Sequence, residues 1–311
     1  MILSNMFTPS RREVLALGAG ALGSIRLTAA DSQTFQITSG ESTIEVAFTP
    51  DEFDLSPPAI LGWISIAARA VSAYYGRFPV ARVSVRVRAA PDRAGVVSGT
   101  TYGEGPRTVI TVGRHCTQRQ LDSDWTMTHE FLHLGFPNMP RQHHWIEEGI
   151  AVYAEPIARA QIGTVTVEQV WGDMIRDMHQ GQPGPGDRGL DGTHTWGRTY
   201  WGGAIFCLLA DIRIRERTSN RAGLQHALRG VLAAGGTIEH DWSIDDALAA
   251  GDAAVKVPVL AGLYAEMKDT PIVIDLEELW KKLGVQGANG RMIFQNDAPL
   301  AAIREAITKP L

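Results

Sequence analysis

The pentapeptide His129-Glu130-Phe131-Leu132-His133 constrains this chain more than any other stretch of it. Imidazoles four residues apart share one face on an α-helix, where a turn takes about 3.6 residues. A helix over about 123–135 is therefore expected, with His129 and His133 able to reach one metal ion together. Glu130 falls beside such a metal rather than on it, where a carboxylate can take a proton from water. Two histidines leave a metal short of ligands, so the fold must bring a third donor to the same place.

Such a donor stands downstream in Trp145-Ile146-Glu147-Glu148-Gly149-Ile150-Ala151-Val152-Tyr153, which reads as a second helix over about 144–160. Glu148 lies 15 residues past His133, enough for a helix end, a turn at Gly135-Phe136-Pro137 and a return on a neighbouring helix. Adjacent helix positions point about 100° apart, so only one of Glu147 and Glu148 can face the metal.

H-E-x-x-H followed by W-x-x-E-G on the next helix resembles the gluzincin metallopeptidases, in particular the peptidase MA-like group related to aminopeptidase-type enzymes. The resemblance covers residues 125–155 and, more loosely, 196–209. It implies an α+β fold: a thermolysin/gluzincin-like catalytic domain with a strand-rich N-terminal lobe and a helical C-terminal lobe. It also implies one Zn2+ per chain, held by His129, His133 and Glu148, with Glu130 as general base on a zinc-activated water. Glu147 is left as a solvent-facing charge or a substrate contact. In that family a later helix opens on Y-x-x-G, and its tyrosine stabilises the oxyanion. Tyr200-Trp201-Gly202-Gly203 fits, so Tyr200 is the expected donor, an ordinary aromatic at a helix start being the other reading. Tyr153, inside the ligand helix, is a less favoured candidate.

Thr108–Val112 stands where the family has its substrate-binding edge strand, along which an extended peptide adds by main-chain hydrogen bonds. The exopeptidase motif G-A-M-E-N is missing. The comparable stretch reads Ser98-Gly99-Thr100-Thr101-Tyr102-Gly103-Glu104, with Glu104 either an exposed turn carboxylate or a contact for a substrate amine. Glu155 shares a helix face with Glu148 and is either a partner for the far nitrogen of His129 or His133, or an exposed glutamate. His143 and His144 match no ligand of the family and read as loop or rim residues. A metzincin site is excluded by spacing, since Gly135 comes one place early and Met139 stands where the third histidine belongs. A peptide deformylase needs an upstream cysteine ligand, and Cys116 is too close to His129.

The rest of the chain divides by periodicity. Gln36 to Phe48 reads as one or two strands, and Pro57-Pro58 opens a helix running to about Tyr75, stopped by Gly76. Arg82-Val83-Ser84-Val85-Arg86-Val87-Arg88 alternates strictly, so its valines face a core and its arginines face water. A Gly-rich turn through Gly99 and Gly103-Glu104-Gly105 leads to the strand Thr108–Val112. Beyond Gly113 helices are expected near 123–135, 144–160, 166–180, 196–217, 220–233, 243–250 and 275–283, two of them opened by Thr166-x-x-Gln169 and Asp275-x-x-Glu278. The loop from Gly181 to His194 could separate domains or overhang a cleft. Residues 31–122 are thus read as the strand-rich lobe and 123–311 as the helical lobe carrying the metal, one catalytic unit.

Residues 1–30 read as an address. Ser10-Arg11-Arg12-Glu13-Val14-Leu15, an Ala/Gly-rich apolar stretch to Ile25 and the small residues Thr28-Ala29-Ala30 resemble a twin-arginine signal peptide. The expected location is periplasmic or secreted, the expected partners the twin-arginine export machinery and a peptide or protein substrate, with no stable membrane span after processing. A formal charge of −5 over 311 residues gives no basic surplus for a phosphate backbone, so nucleic acid is not an expected partner. Two cysteines are too few for a disulfide scaffold, and Cys207, in an apolar run, reads as a small buried residue. The function these features point to is an exported zinc-dependent peptidase. The alternatives are a zinc-binding, non-hydrolytic recognition domain of the cell envelope and a structural envelope protein with an accidental motif.

Overall fold

Alternating apolar residues build a sheet whose one face is dry. In the computed structural model, which describes residues 26–28, 34–50, 52–288 and 291–309, six strands pair in the order β1-β2-β3-β4-β6-β5. They are β1 (Arg26–Thr28), β2 (Thr34–Ser39), β3 (Ser42–Phe48), β4 (Arg82–Ala90), β5 (Val96–Tyr102) and β6 (Arg107–Gly113). β3, β4 and β6 run parallel, and the remaining pairings are antiparallel. Val83, Val85 and Val87 are buried with Ile44, Val46 and Ile110, while Arg82, Arg86 and Arg88 are exposed. Helix α1 (Pro57–Tyr75) crosses from β3 to β4. It starts on its two prolines and stops at Gly76, whose φ of 84° suits a residue without a side chain.

The expected Gly-rich turn proves to be mostly strand. β5 runs through Gly99 to Tyr102 before the chain turns, and it, not β6, is the edge of the sheet. Gly99 belongs there for a steric reason: a Cβ on it would lie 2.6 Å from Cγ of Glu130. The residue that breaks the alternation is the one that lets this strand approach the H-E-x-x-H helix.

Helices then cover the dry face and extend beyond it: α2 (Gln118–Ser123), α3 (Thr126–His133), α4 (His144–Gln161), α5 (Val167–Asp177), α6 (Gly203–Arg217), α7 (Leu224–Ala233), α8 (Ile244–Val255), α9 (Leu260–Met267), α10 (Leu276–Leu283) and α11 (Ala301–Ile307). The helix expected over 123–135 is α3, shorter than expected, and a separate helix, α2, precedes it. Asp124 is extended, accepts the Thr126 N–H at 2.7 Å and its hydroxyl at 3.2 Å, and so starts α3 afresh. The helix expected from 196 starts there, with Trp196 and Gly197 α-helical, passes through one π-turn, Arg198–Gly202, and continues as α6. Two short helices, α9 and α11, and the hairpin of β7 (Val285–Ala288) with β8 (Arg291–Phe294) are additions to the expected outline. Segments of seven or eight residues hold too few turns to show a helical period.

The loop after Gly181 is pinned rather than free. The Arg198 guanidinium donates to the Gly181 carbonyl at 2.6 Å and pairs with Asp187 at 2.8 Å. Arg11, Arg12, the stretch to Ile25 and Ala29-Ala30 lie outside the described residues. Among the described residues no helix is long and apolar enough to cross a membrane.

Candidate active site

α3 packs against α1, α4 and the edge strand β5. Its buried face carries His129 and Glu130, and the facing turn of α4 carries Glu148. Nε2 of His129 lies 3.1 Å from Oε2 of Glu148, and Nε2 of His133 lies 3.7 Å from the same oxygen. Ligands at about 2.0–2.1 Å from a tetrahedral metal stand about 3.3–3.4 Å from one another, which these separations bracket. One ligand-capable atom from each residue falls within 4.8 Å of the others. Burial, only partly offset by Glu148, pushes His133 down to about 4, so its ring is neutral. Burial alone would raise Glu148, but the hydrogen bonds from His129 and His144 hold it well below the usual carboxylate range. Neutral imidazole nitrogens and one carboxylate oxygen are the donor set of a divalent zinc site. The buried Nδ1 of His129, on the side of the ring away from Glu148, has no hydrogen-bond partner. These three residues can hold a metal ion.

Glu130 stands between the cluster and β5. Its Oε2 accepts the Thr101 hydroxyl at 2.8 Å, and its pKa is raised, first by burial, against the lowering effect of His129 and that hydrogen bond. Tyr200, from the π-turn, stacks nearly parallel to the His129 ring at 6.4 Å. Burial and then the nearness of Glu148 push its phenol up to about 12, so it is a hydrogen-bond donor at any ordinary pH. Two glycines place it. A Cβ on Gly149 would lie 2.4 Å from Cα of Gly203, and one on Gly203 would lie 2.1 Å from the Trp145 carbonyl oxygen. The glycines of E-G and Y-x-x-G thus let α4 and α6 touch backbone to backbone, bringing Tyr200 to Glu148.

Of the two histidines read as loop or rim, His143 is neither, and His144 stands exposed on the rim of the cluster. His143 is buried, with Nδ1 2.9 Å from Asp191 Oδ1, an atom that also accepts the Trp145 indole N–H at 2.8 Å. Tyr264 donates to the other oxygen of Asp191 at 2.6 Å, so the long loop is latched onto the start of α4. His144 occupies the first turn of α4, with Nδ1 3.0 Å from Glu147 and Nε2 3.2 Å from Glu148 Oε1. The hydrogen bond to Glu147, then that to Glu148, pushes its pKa up to about 10. Sequence reasoning missed His144 as part of the site, although its spacing of three and four from the two glutamates was a signal. Glu147 is neither solvent-facing nor free, since it accepts the Met139 N–H at 3.3 Å as well as contacting His144.

The remaining candidates go elsewhere. Glu155 is buried and accepts from Arg159 at 2.9 Å. Tyr153 donates to Asp211 at 2.9 Å. Glu104 is exposed in the turn after β5. Cys116 and Cys207 are both buried and free.

No family model matches this chain, and no curated protein does. Solved structures do match. An aminopeptidase N family protein from Idiomarina loihiensis superposes with a TM-score of 0.61 at 11% identity, over 82% of this chain and 50% of that one. An M1 zinc metallopeptidase from Deinococcus radiodurans matches with a TM-score of 0.51 at 15% identity, over 81% of this chain and 53% of its own. A mutant of the Deinococcus radiodurans M1 zinc metallopeptidase, bound to a Tyr-Ser-Ala substrate, matches with a TM-score of 0.53 at 14% identity, over 79% and 54%. The likeness is one of fold, and the chain spans about half the length of these structures. It is a mixed α/β protein whose sheet and helices are arranged as in M1 peptidase domains, with a cluster that can hold a metal.

Proposed function

We propose that this chain is a zinc-dependent peptidase of the gluzincin type, with a thermolysin-like catalytic unit formed by residues 31–122 and 123–311. The observation that carries this reading is the convergence of His129, His133 and Glu148 beside a buried, independently held Glu130. Zinc bound by those three residues supplies an electrophile that polarises the substrate carbonyl and lowers the pKa of a water. Glu130 takes a proton from that water as its oxygen bonds to the carbonyl carbon. As the C–N bond breaks, Glu130 passes the proton to the departing nitrogen, so the carboxylate is regenerated. Thr101 fixes the orientation of the base. Tyr200 donates a hydrogen bond to the developing oxyanion without adding charge to the site.

The paired arginines Arg11 and Arg12 support export by the twin-arginine route and a periplasmic or secreted location, with residues 1–30 as the leader. A test of that leader is export of a folded reporter fused behind residues 1–30, lost when both arginines become lysine.

The chemical reading is tested by zinc content and hydrolysis of an unbiased peptide pool, on the native protein and on Glu130→Gln. Both proteins hold about one zinc, and the substitution slows hydrolysis by about 10²–10⁴-fold, the usual contribution of a general base. Stoichiometric zinc in both with no cleavage by either turns the reading into that of a zinc-binding recognition domain. No zinc in either removes the metal site and the mechanism with it.

A further inference from the structure

Two of this chain's tryptophans are solvent-exposed among the described residues, and both stand at the site. Trp125 is 51% exposed and Trp196 is 59% exposed. Trp125 precedes α3, its ring edge-on to His129 at 5.3 Å and 76°. Trp196 precedes the π-turn and stacks on Tyr200 at 5.6 Å and 23°. The two indoles therefore end an aromatic row whose middle members are a metal-ligand candidate and the oxyanion donor. An indole buries about 150–250 Å² when covered, so leaving two uncovered is an expense that a bound apolar group reverses.

The free edge of β5 gives such a group a path. Gly99 and Thr101 of that strand face Glu130, so a peptide added along the edge passes the base in extended form. Side chains on one face of an extended peptide recur about every 7 Å. By contrast, three carboxylates near the site are engaged. Glu147 is held by Met139 and His144, Asp124 by Thr126, and Glu155 by Arg159. None of these three stands free for the ammonium of a free N-terminus, and Glu104 lies in the exposed turn beyond the end of β5.

We propose that Trp125 and Trp196 are side-chain subsites, and that the substrate is an internal stretch of peptide recognised by bulky apolar side chains beside the scissile bond. This rests on reading the site as a peptidase.

The test is binding to zinc-loaded Glu130→Gln of two N-acetylated, C-amidated hexapeptides differing only in their central pair, Leu-Phe or Ser-Ser. The Leu-Phe peptide binds at least about tenfold tighter. Trp125→Ala and Trp196→Ala each shrink that ratio with zinc content unchanged, and Trp196→Phe restores it. Equal binding of the two peptides, a ratio that survives both alanine substitutions, or binding that requires a free N-terminus overturns the proposal. Cleavage of the unbiased pool by the native protein, run in parallel, separates the two levels. If the pool is cleaved and the indoles are indifferent, this inference alone falls; if the pool is intact and neither peptide binds, both fall.

Discussion

Helix α4 contributes to two buried polar clusters that are completed in different ways. Toward its middle, Tyr153 donates to Asp211, which also accepts from Arg215 at 2.7 Å and from the Leu224 N–H at 3.0 Å. Cation, anion and donors are all supplied by the chain itself. Near its start, Glu148 meets His129 and His133, and the buried Nδ1 of His129 is left without a partner. Buried polar groups are normally satisfied, because leaving one unpaired costs about 1–3 kcal/mol. The first cluster closes on itself and holds α4, α6 and α7 together. The second gathers three electron-pair donor atoms within 4.8 Å of one another and can hold a cation. Two groups of similar burial on one helix are thus told apart by what they assemble, an internal ion pair in one and convergent lone-pair donors in the other.

The sharpest way to break this comparison is to remove one anion from each cluster. Asp211→Ala leaves the Arg215 charge buried and unpaired, and should lower the stability of the metal-free protein by about 3–5 kcal/mol in denaturant titrations. Glu148→Gln keeps an acceptor of the same shape and should cost the metal-free protein less than about 1 kcal/mol. Zinc at 100-fold its Kd should then stabilise the native protein by about 2.7 kcal/mol and leave Glu148→Gln unmoved. Equal losses from both substitutions without metal would make the Glu148 cluster structural too.

Smaller effects probe what surrounds the metal cluster. Tyr200→Phe removes a single donor to an oxyanion and should lower kcat by about 10²–10³-fold with zinc content and melting temperature unchanged. A loss confined to KM would assign Tyr200 to substrate binding instead. Gly203→Ala forces a methyl against the Trp145 carbonyl, an overpacking that costs about 1–3 kcal/mol. Because the same contact sets where Tyr200 stands, kcat should fall along with stability. A variant that loses stability and keeps full kcat would show that the crossing of α4 and α6 does not position the phenol.

The parts of this molecule that could be read from its sequence are those written in local periodicity. His129, Glu130 and His133 follow from an i, i+4 spacing, Val83, Val85 and Val87 from strict alternation, and α1 from two prolines and a stop glycine. Glu148 needed a family resemblance to choose it over Glu147, and the two glutamates do point differently in the structure. β5 was hidden because Gly99 interrupts its pattern, and the reason for that glycine lies 31 residues away at Glu130. Asp191, which fixes His143, Trp145 and Tyr264, could not be found by any local rule, since its partners sit 46 to 73 residues distant. His144 is the first residue of the helix expected over 144–160 and matches no ligand of the family, so its contacts with Glu147 and Glu148 show only in the folded chain.

The smallest effect sharpens the comparison on its self-completing side. His226 lies in the first turn of α7, next to the Asp211 cluster, and its Nδ1 accepts the Gly223 N–H at 3.2 Å. That acceptor exists only in a neutral ring, and burial, followed by the charges of Arg229 and Arg215, lowers the pKa of His226. A histidine whose folded pKa is depressed contributes its stability above its unfolded value of about 6.5 and loses it as pH falls toward the folded value. The group is partly exposed, so solvent screening limits the change to a few tenths of a kcal/mol. Between pH 7 and 5 the native protein should lose that much more stability than His226→Gln, whose amide oxygen accepts the same N–H without titrating. An identical pH slope in the two proteins would show that the end of α7 is held by Asp211 through the Leu224 N–H alone.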